Sequence, residues 1–172
     1  MSISMYQTTI PVCVRAMTNL ENVLKKSEQF ARNKKVSPEV LLNARLAPDM
    51  LPLTKQIQIA SDTSKGAGAR LAGIENPKFE DTEKSFEELY ERIQKTIQFL
   101  NSIKPEQIDG SEDKTIVLKL GPEESRFTGL NYLLGFVLPN LGFHVTTAYA
   151  ILRHNGVEIG KRDYLGELPT LK

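Results

Sequence analysis

Both histidines of the chain lie near its C-terminal end, in the stretch NLGFHVTTAYAILRHNG from Asn140 to Gly156. On an α-helix, the ten positions between His144 and His154 correspond to about 15 Å along the axis and about 80° around it. Two histidines that share one metal ion on a helix are three or four residues apart. The spacing therefore predicts that these two histidines do not bind the same ion.

The two histidines are expected to lie in different environments. His154 comes just before Gly156, at a predicted helix end, where the helix dipole favours a cation. His144 shares a polar helical stripe with Asn140 and follows Pro139, which must bend the helix or free a backbone carbonyl. A polar stripe beside a bend inside a bundle predicts a pocket. A buried, hydrogen-bonded histidine without a ligand explains the same pattern.

Two other candidates for chemistry have simpler structural explanations. The only cysteine, Cys13, lies on an apolar stripe, so we expect a buried thiol that packs as a small hydrophobic group. The stretch KGAGARLAG (65–73) resembles a dinucleotide-binding fingerprint, but Leu71 stands where the third glycine belongs and the stretch lies inside a predicted helix. Its small residues instead predict a close approach between two helices.

Four long helices must position these residues. Apolar side chains recur at spacings of three and four residues in four segments, which is typical of helices buried on one side. Ser85 and Glu88 have the spacing of a capping box at the start of the third helix. Gly73 marks the end of the second helix. The predicted helices cover residues 4–33, 49–72, 83–102 and 129–155.

A small β-hairpin is predicted between the third and fourth helices. The sequence KTIVLKL (114–120) alternates and is β-branched, GPEE turns the chain, and SRFTG follows, so we expect a hairpin over residues 114–127. The tail after Gly156 is predicted to pack as extended chain. With no interdomain linker, the chain is predicted to be one all-α domain over residues 1–172, a four-helix bundle with a small hairpin.

Composition narrows the classes of partner. Twenty-two basic residues against twenty-one acidic ones give a net charge of +1, whereas nucleic-acid binders usually carry a basic excess. The N-terminus lacks the pattern of a signal peptide, and the apolar stretch at 132–143 is shorter than the ~20 residues of a membrane span. We therefore expect a cytoplasmic protein that binds neither nucleic acid nor membranes.

Four stretches of the chain carry a family resemblance: ARLAPDMLPLTKQIQIASD, KGAGARLAG, FHVTTAYAILRHNG and GKRDYLG. They resemble the bacterial family known as domain of unknown function 1993, within the DinB/YfiT-like four-helix bundles, a superfamily of proposed metalloenzymes. The resemblance covers essentially the whole chain. It implies a bundle of DinB/YfiT-like type and a homodimer.

The resemblance also implies a metal site, from which this sequence departs. The superfamily pattern is a nickel or zinc ion held by three histidines, one in the second helix and two in the fourth. Here His144 matches the second ligand of the fourth helix, but Asn140 and Gln58 stand at the other two positions. Amide oxygens are poor ligands for zinc and nickel, which prefer nitrogen and sulfur. We therefore expect no metal cofactor, with weak nickel or zinc binding as the alternative.

The sequence thus predicts a bundle whose ancestral metal pocket survives as a polar cavity lined by Gln58, Asn140 and His144. Such a protein would bind a small molecule or act in protein interaction. The alternative is a metal- or thiol-cofactor-dependent transferase or hydrolase, in which His144 would be the catalytic residue. The sequence leaves open which of these applies.

Overall fold

The structure, a computed structural model, describes residues 3–121, 123–168 and 170. Four long helical segments form a bundle, and shorter helices and a hairpin connect them. Residues 1, 2, 122, 169, 171 and 172 lie outside the described residues, and with them the proline of the predicted GPEE turn. The helices are α1 (Met5–Lys34), α2 (Pro38–Leu42), α3 (Leu53–Ala72), α4 (Phe86–Ser102), α5 (Pro105–Ile108), α6 (Gly129–Asn131), α7 (Leu138–His154) and α8 (Lys161–Leu165).

The long helices pack around one core. Helix α3 packs on α7 and α4, and α1 packs mainly on α4, with smaller contacts to α3 and α7. The core is aliphatic, and Phe86 and Tyr132 are its largest fully buried side chains. The predicted all-α bundle with a small hairpin is confirmed.

The second predicted helix begins later than expected. We predicted residues 49–72, whereas α3 begins at Leu53 and Asp49 lies in the preceding turn. The reason is Pro52, which occupies the N-cap position with extended backbone and disfavours helical backbone in the residue before it. At the other end, Gly73 caps α3 with φ of 71°, as predicted.

Helix α4 begins at the predicted cap. The Ser85 side chain accepts a hydrogen bond from the Glu88 backbone N–H at 3.2 Å. The Glu88 carboxylate, however, accepts from the Lys84 backbone N–H rather than from Ser85, so the box is offset by one residue. The helix starts at Phe86, three residues after the predicted start at position 83.

The hairpin forms, but its second strand begins two residues earlier than predicted. Strands β1 (Thr115–Leu120) and β2 (Glu123–Thr128) pair antiparallel, with Leu120 opposite Glu123. The two glutamates of GPEE are therefore the first residues of β2. Beyond the fourth helix, the tail contains the short helix α8, where we had predicted extended chain.

The fourth helical run accommodates Pro139 by changing its winding. Tyr132–Val137 form a π-helical segment, in which the Leu138 backbone N–H bonds to the Leu133 carbonyl. Pro139 lies in the first turn of α7, immediately after it. Proline has no N–H to give the preceding turn, and π-helical turns, although rare, occur mostly as single-turn insertions within α-helices. The predicted disturbance near Pro139 is this π segment.

The run Gly129–His154 also has the length and composition of a membrane-spanning helix, with a mean hydropathy of 1.2 over 18 residues. The shorter stretch at 132–143 had suggested otherwise, but the helix continues through Pro139. In the structure this run is the fourth helix of the bundle and packs on α3 and α1. That the chain has no membrane partner stays a prediction.

Candidate functional site

The two histidines lie in the environments that their spacing predicted. His144 is 8% exposed and faces α3, whereas His154 is exposed and is the last residue of α7. Burial lowers the pKa of His144 below its ordinary value, because an apolar environment disfavours the charged imidazolium. The His144 ring is therefore neutral near pH 7.

The partner of His144 on α3 is Gln56. His144 Nδ1 lies 2.7 Å from Gln56 Oε1, and Gln56 Nε2 donates to the Leu51 carbonyl at 2.9 Å. The second bond orients the glutamine amide, so its oxygen points at the imidazole. An amide oxygen only accepts, and the proton of the neutral ring therefore resides on Nδ1. Among the described residues, Nε2 of His144 makes no hydrogen bond, so its lone pair can accept one.

A second polar pair lies beside the first. Asn140, one turn before His144 on α7, donates through Nδ2 to Thr63 Oγ1 at 2.8 Å. Thr63 lies seven residues, or about two turns, after Gln56, on the same face of α3. We call Gln56, Thr63, Asn140 and His144 the seam residues, since they join α3 to α7. The structure thus brings Asn140 and His144 together, as predicted.

Gln58 does not join the seam. Two positions along a helix turn the side chain by about 200°, and Gln58 Nε2 donates to Glu83 Oε2 at 2.7 Å on the opposite side of α3. Gln58 Oε1 is buried without a hydrogen-bond partner among the described residues. The predicted trio is therefore divided between the two sides of α3, and Gln56 replaces Gln58 as the residue next to His144.

The face of α3 toward α4 carries a charge cluster that the sequence analysis missed. The side chain of Arg92 is 1% exposed and contacts Asp62 at 2.8 Å, Glu83 at 2.9 Å and Asp81 at 3.0 Å. Its Nε also donates to Ser61 Oγ at 3.2 Å. Asp81 and Glu83 lie in the segment that connects α3 to α4. Arg92 therefore holds this connecting segment against the bundle. No sequence period links these residues, which explains why they were missed.

The other two sequence candidates have the structural roles expected of them. Cys13 is fully buried, and burial raises its pKa to about 12, although a hydrogen bond with Ser64 acts in the opposite direction. Its sulfur therefore stays a thiol. A Cβ at Gly68 would lie 2.7 Å from Ile103 Cδ1 and 3.0 Å from Leu100 Cδ2. The glycine thus permits the close approach that KGAGARLAG predicted.

The seam residues do not fit a zinc or nickel ion. They offer one imidazole nitrogen together with amide and hydroxyl groups, and those ions prefer nitrogen or sulfur donors. Gln56 and Thr63 already hydrogen-bond His144 and Asn140. Within residues 3–121 and 123–168, no group of three or more His, Cys, Asp or Glu side chains is arranged to hold a metal ion.

Comparisons with known proteins show the family to which the chain belongs. Residues 5–165 match the model of the family described as Domain of unknown function (DUF1993). The chain belongs to this family. It is also similar to a crystal structure of a DinB family member protein from Shewanella denitrificans, at 40% identity and a TM-score of 0.88, covering 97% of this chain and 94% of that one. A search of curated proteins gives no match. The predicted family and its DinB-like bundle are thereby confirmed.

Proposed function

We propose that this DUF1993 member is a cytoplasmic, metal-independent binding protein whose seam residues recognise a small polar molecule. The observation that carries the proposal is the bond between His144 Nδ1 and Gln56 Oε1. That bond fixes a neutral imidazole whose Nε2 can accept a hydrogen bond. A ligand with an O–H or N–H group suits such an acceptor. Asn140 and Thr63 supply further polar groups one turn away on α7 and two turns away on α3.

Two features of the seam argue for recognition rather than catalysis. Its polar groups are neutral, so none of them supplies a charge to a reacting group. Neither Ser-His-Asp nor Cys-His geometry occurs among the side chains that contact His144 in the described residues, and such an arrangement is what activates a nucleophile. The seam therefore supports hydrogen-bond recognition.

One observation favours a second candidate, a metal- or thiol-cofactor-dependent transferase or hydrolase. Metal-binding histidines commonly donate their other ring N–H to an oxygen, which orients the ring. His144 likewise donates its Nδ1–H to Gln56 Oε1, so Nε2 has the protonation state that a metal ligand or a general base needs. In this candidate His144 is the catalytic residue.

The metal content of protein purified without an affinity tag separates the two candidates. Binding without metal predicts substoichiometric zinc and nickel by mass spectrometry, together with a melting temperature that excess zinc does not raise. Stoichiometric zinc or nickel that is lost in His144→Gln would overturn the first proposal in favour of the second. The exposed His154→Gln variant is the matched control for adventitious binding by a single imidazole.

We further propose that the protein acts as a homodimer. Residues 129–152 contain no Asp, Glu, Lys or Arg, yet Leu130, Leu134 and Phe143 in this run are 41%, 52% and 56% exposed. A large uncharged surface of this kind is typical of an interface, and a second copy of the same chain is its commonest occupant. Light scattering after gel filtration tests this. A monomeric mass for the parent protein, unchanged in the Phe143→Arg variant, would contradict it.

A further inference from the structure

A cleft of about 410 Å³ lies between α1 and α7, on a different face of α7 from the seam. Its volume is within the range of small-molecule sites, roughly 300–1,000 Å³. Most of its wall is aliphatic, with few polar groups, which is the usual composition of a ligand site. The aliphatic lining comprises Val12, Ala16, Leu138, Leu141 and Val145.

One basic side chain, Arg15, lies on this wall. Its Nη2 donates to the Leu165 carbonyl at 2.8 Å, which uses one of the five guanidinium N–H donors. Arg15 forms no ion pair with an Asp or Glu among the described residues. The half-buried guanidinium therefore supplies an uncompensated positive charge beside an apolar surface. The charge complement of that surface is an anionic group attached to an apolar body.

The short helix α8 holds the third side of the cleft in place. Asn19 Nδ2 donates to the Tyr164 carbonyl at 3.1 Å, and Lys26 pairs with Asp163 at 2.5 Å. Gly166, with φ of 66°, approaches Asn19 so closely that a Cβ there would lie 2.1 Å from Oδ1. These contacts hold α8 against α1. The cleft is therefore formed before any ligand arrives, which reduces the entropic cost of binding.

We propose that this cleft binds a small aliphatic carboxylate. The carboxylate accepts hydrogen bonds from the free N–H groups of Arg15, whose planar fork matches its two oxygens. The hydrocarbon chain packs on Ala16, Leu141 and Val145. The site is separate from the seam residues, and neither His144 nor a metal ion takes part in it.

Isothermal titration of the full-length protein with decanoate, below its micelle concentration, tests the proposal. Decan-1-ol, with the same chain and no charge, is the reference ligand. We expect decanoate to bind with the higher affinity. Arg15→Gln should lower the affinity for decanoate about tenfold to a hundredfold, the usual range for loss of a charge-assisted hydrogen bond. The same substitution should leave the affinity for decan-1-ol unchanged.

A second pair of variants tests the location of the chain. A Cβ at Gly142, on the cleft wall, meets no heavy atom within 4 Å, so Gly142→Leu places a bulky side chain in the cleft and should abolish decanoate binding. Gly135 has the same free space but does not line the cleft, and Gly135→Leu is the matched control that should bind normally. His144→Gln should also bind normally, which separates this site from the seam.

Three outcomes would overturn the proposal. The first is equal affinity for decanoate and decan-1-ol. The second is unchanged decanoate binding in a Gly142→Leu variant that melts at or above the wild-type temperature. The third is a dimer that dissociates in Gly142→Leu but not in Gly135→Leu, because this would show that a second copy of the chain occupies the cleft.

Discussion

The imidazole of His144 and the amide of Gln56 are joined by a 2.7 Å hydrogen bond between residues 88 positions apart in the chain. This bond shows that Gln56 is the residue of α3 that lies opposite His144 on the fourth helix. It also sets the tautomer of the ring, because the amide oxygen can only accept. The polar character of the seam, and its unsuitability for a transition metal, both follow from this pairing.

Restoring imidazoles at the seam should create a metal site only at the correct glutamine. We expect Gln56→His with Asn140→His to bind zinc much more tightly than the parent, since three imidazoles would then converge from α3 and α7 with an open coordination position. Gln58→His with Asn140→His is the matched control, and it should gain little because Gln58 faces Glu83. Calorimetric titration of tag-free proteins measures the difference. Equal zinc affinity in the two double variants would contradict this geometry.

The buried His144 should make the protein less stable in mild acid. Burial lowers the pKa of His144 in the folded state, while in the unfolded chain it titrates near 6.5. Below about pH 6.5 the unfolded state thus binds more protons, and the free energy of unfolding falls as the pH falls. Urea denaturation at a series of pH values should show this slope reduced in His144→Gln. The exposed His154→Gln variant should keep it.

Arg92 should be the most sensitive charged residue of α4. Arg92→Met leaves the carboxylate of Glu83, 9% exposed, without its cationic partner. Breaking a buried ion pair commonly costs 3–5 kcal/mol, and we expect about 3 kcal/mol because two of the three acidic partners are partly exposed. Lys95→Met, on the same helix, removes an ion pair whose side chains are 62% and 69% exposed. It should change the free energy of unfolding by less than about 0.5 kcal/mol. Equal effects would show that Arg92 does not hold the connection to α4.

Two helical glycines should respond oppositely to larger side chains. Gly68→Leu forces Ile103 and Leu100 to move, and we expect a loss of about 1–3 kcal/mol from overpacking. Gly142→Ala adds a methyl group in open space, and it should stabilise the protein by about 0.5–1 kcal/mol because alanine favours helix. Thermal denaturation measures both. A stabilised Gly68→Leu would mean that the helices do not meet at this glycine.

Much of the fold could be predicted because its signals are local. The apolar period of 3.6 residues, the Ser85 cap and the Gly73 terminus each depend on residues within a few positions. The same holds for the alternation that predicted the hairpin. Where a local rule was overlooked, as with Pro52 at the start of α3, the helix boundary was wrong by four residues.

The seam could be predicted only in part, because it depends on how two helices face each other. The spacing within α7 was sufficient to place Asn140 beside His144. Choosing between Gln56 and Gln58 requires the rotation of α3 relative to α7. The surrounding residues contained a signal for that rotation: charged Asp62 lies on the Gln58 side, whereas Thr63 lies on the Gln56 side.

The sequence by itself determined the bundle, its hairpin, the separation of the two histidines and the burial of Cys13. Tertiary structure alone decided that Gln56 pairs with His144, that Arg92 joins three carboxylates, and that α8 encloses a cleft beside Arg15. The physical reason is that periodicity and capping act over a few residues of one chain segment. Side-chain pairing between segments depends on the packing of the whole core, which no single segment encodes.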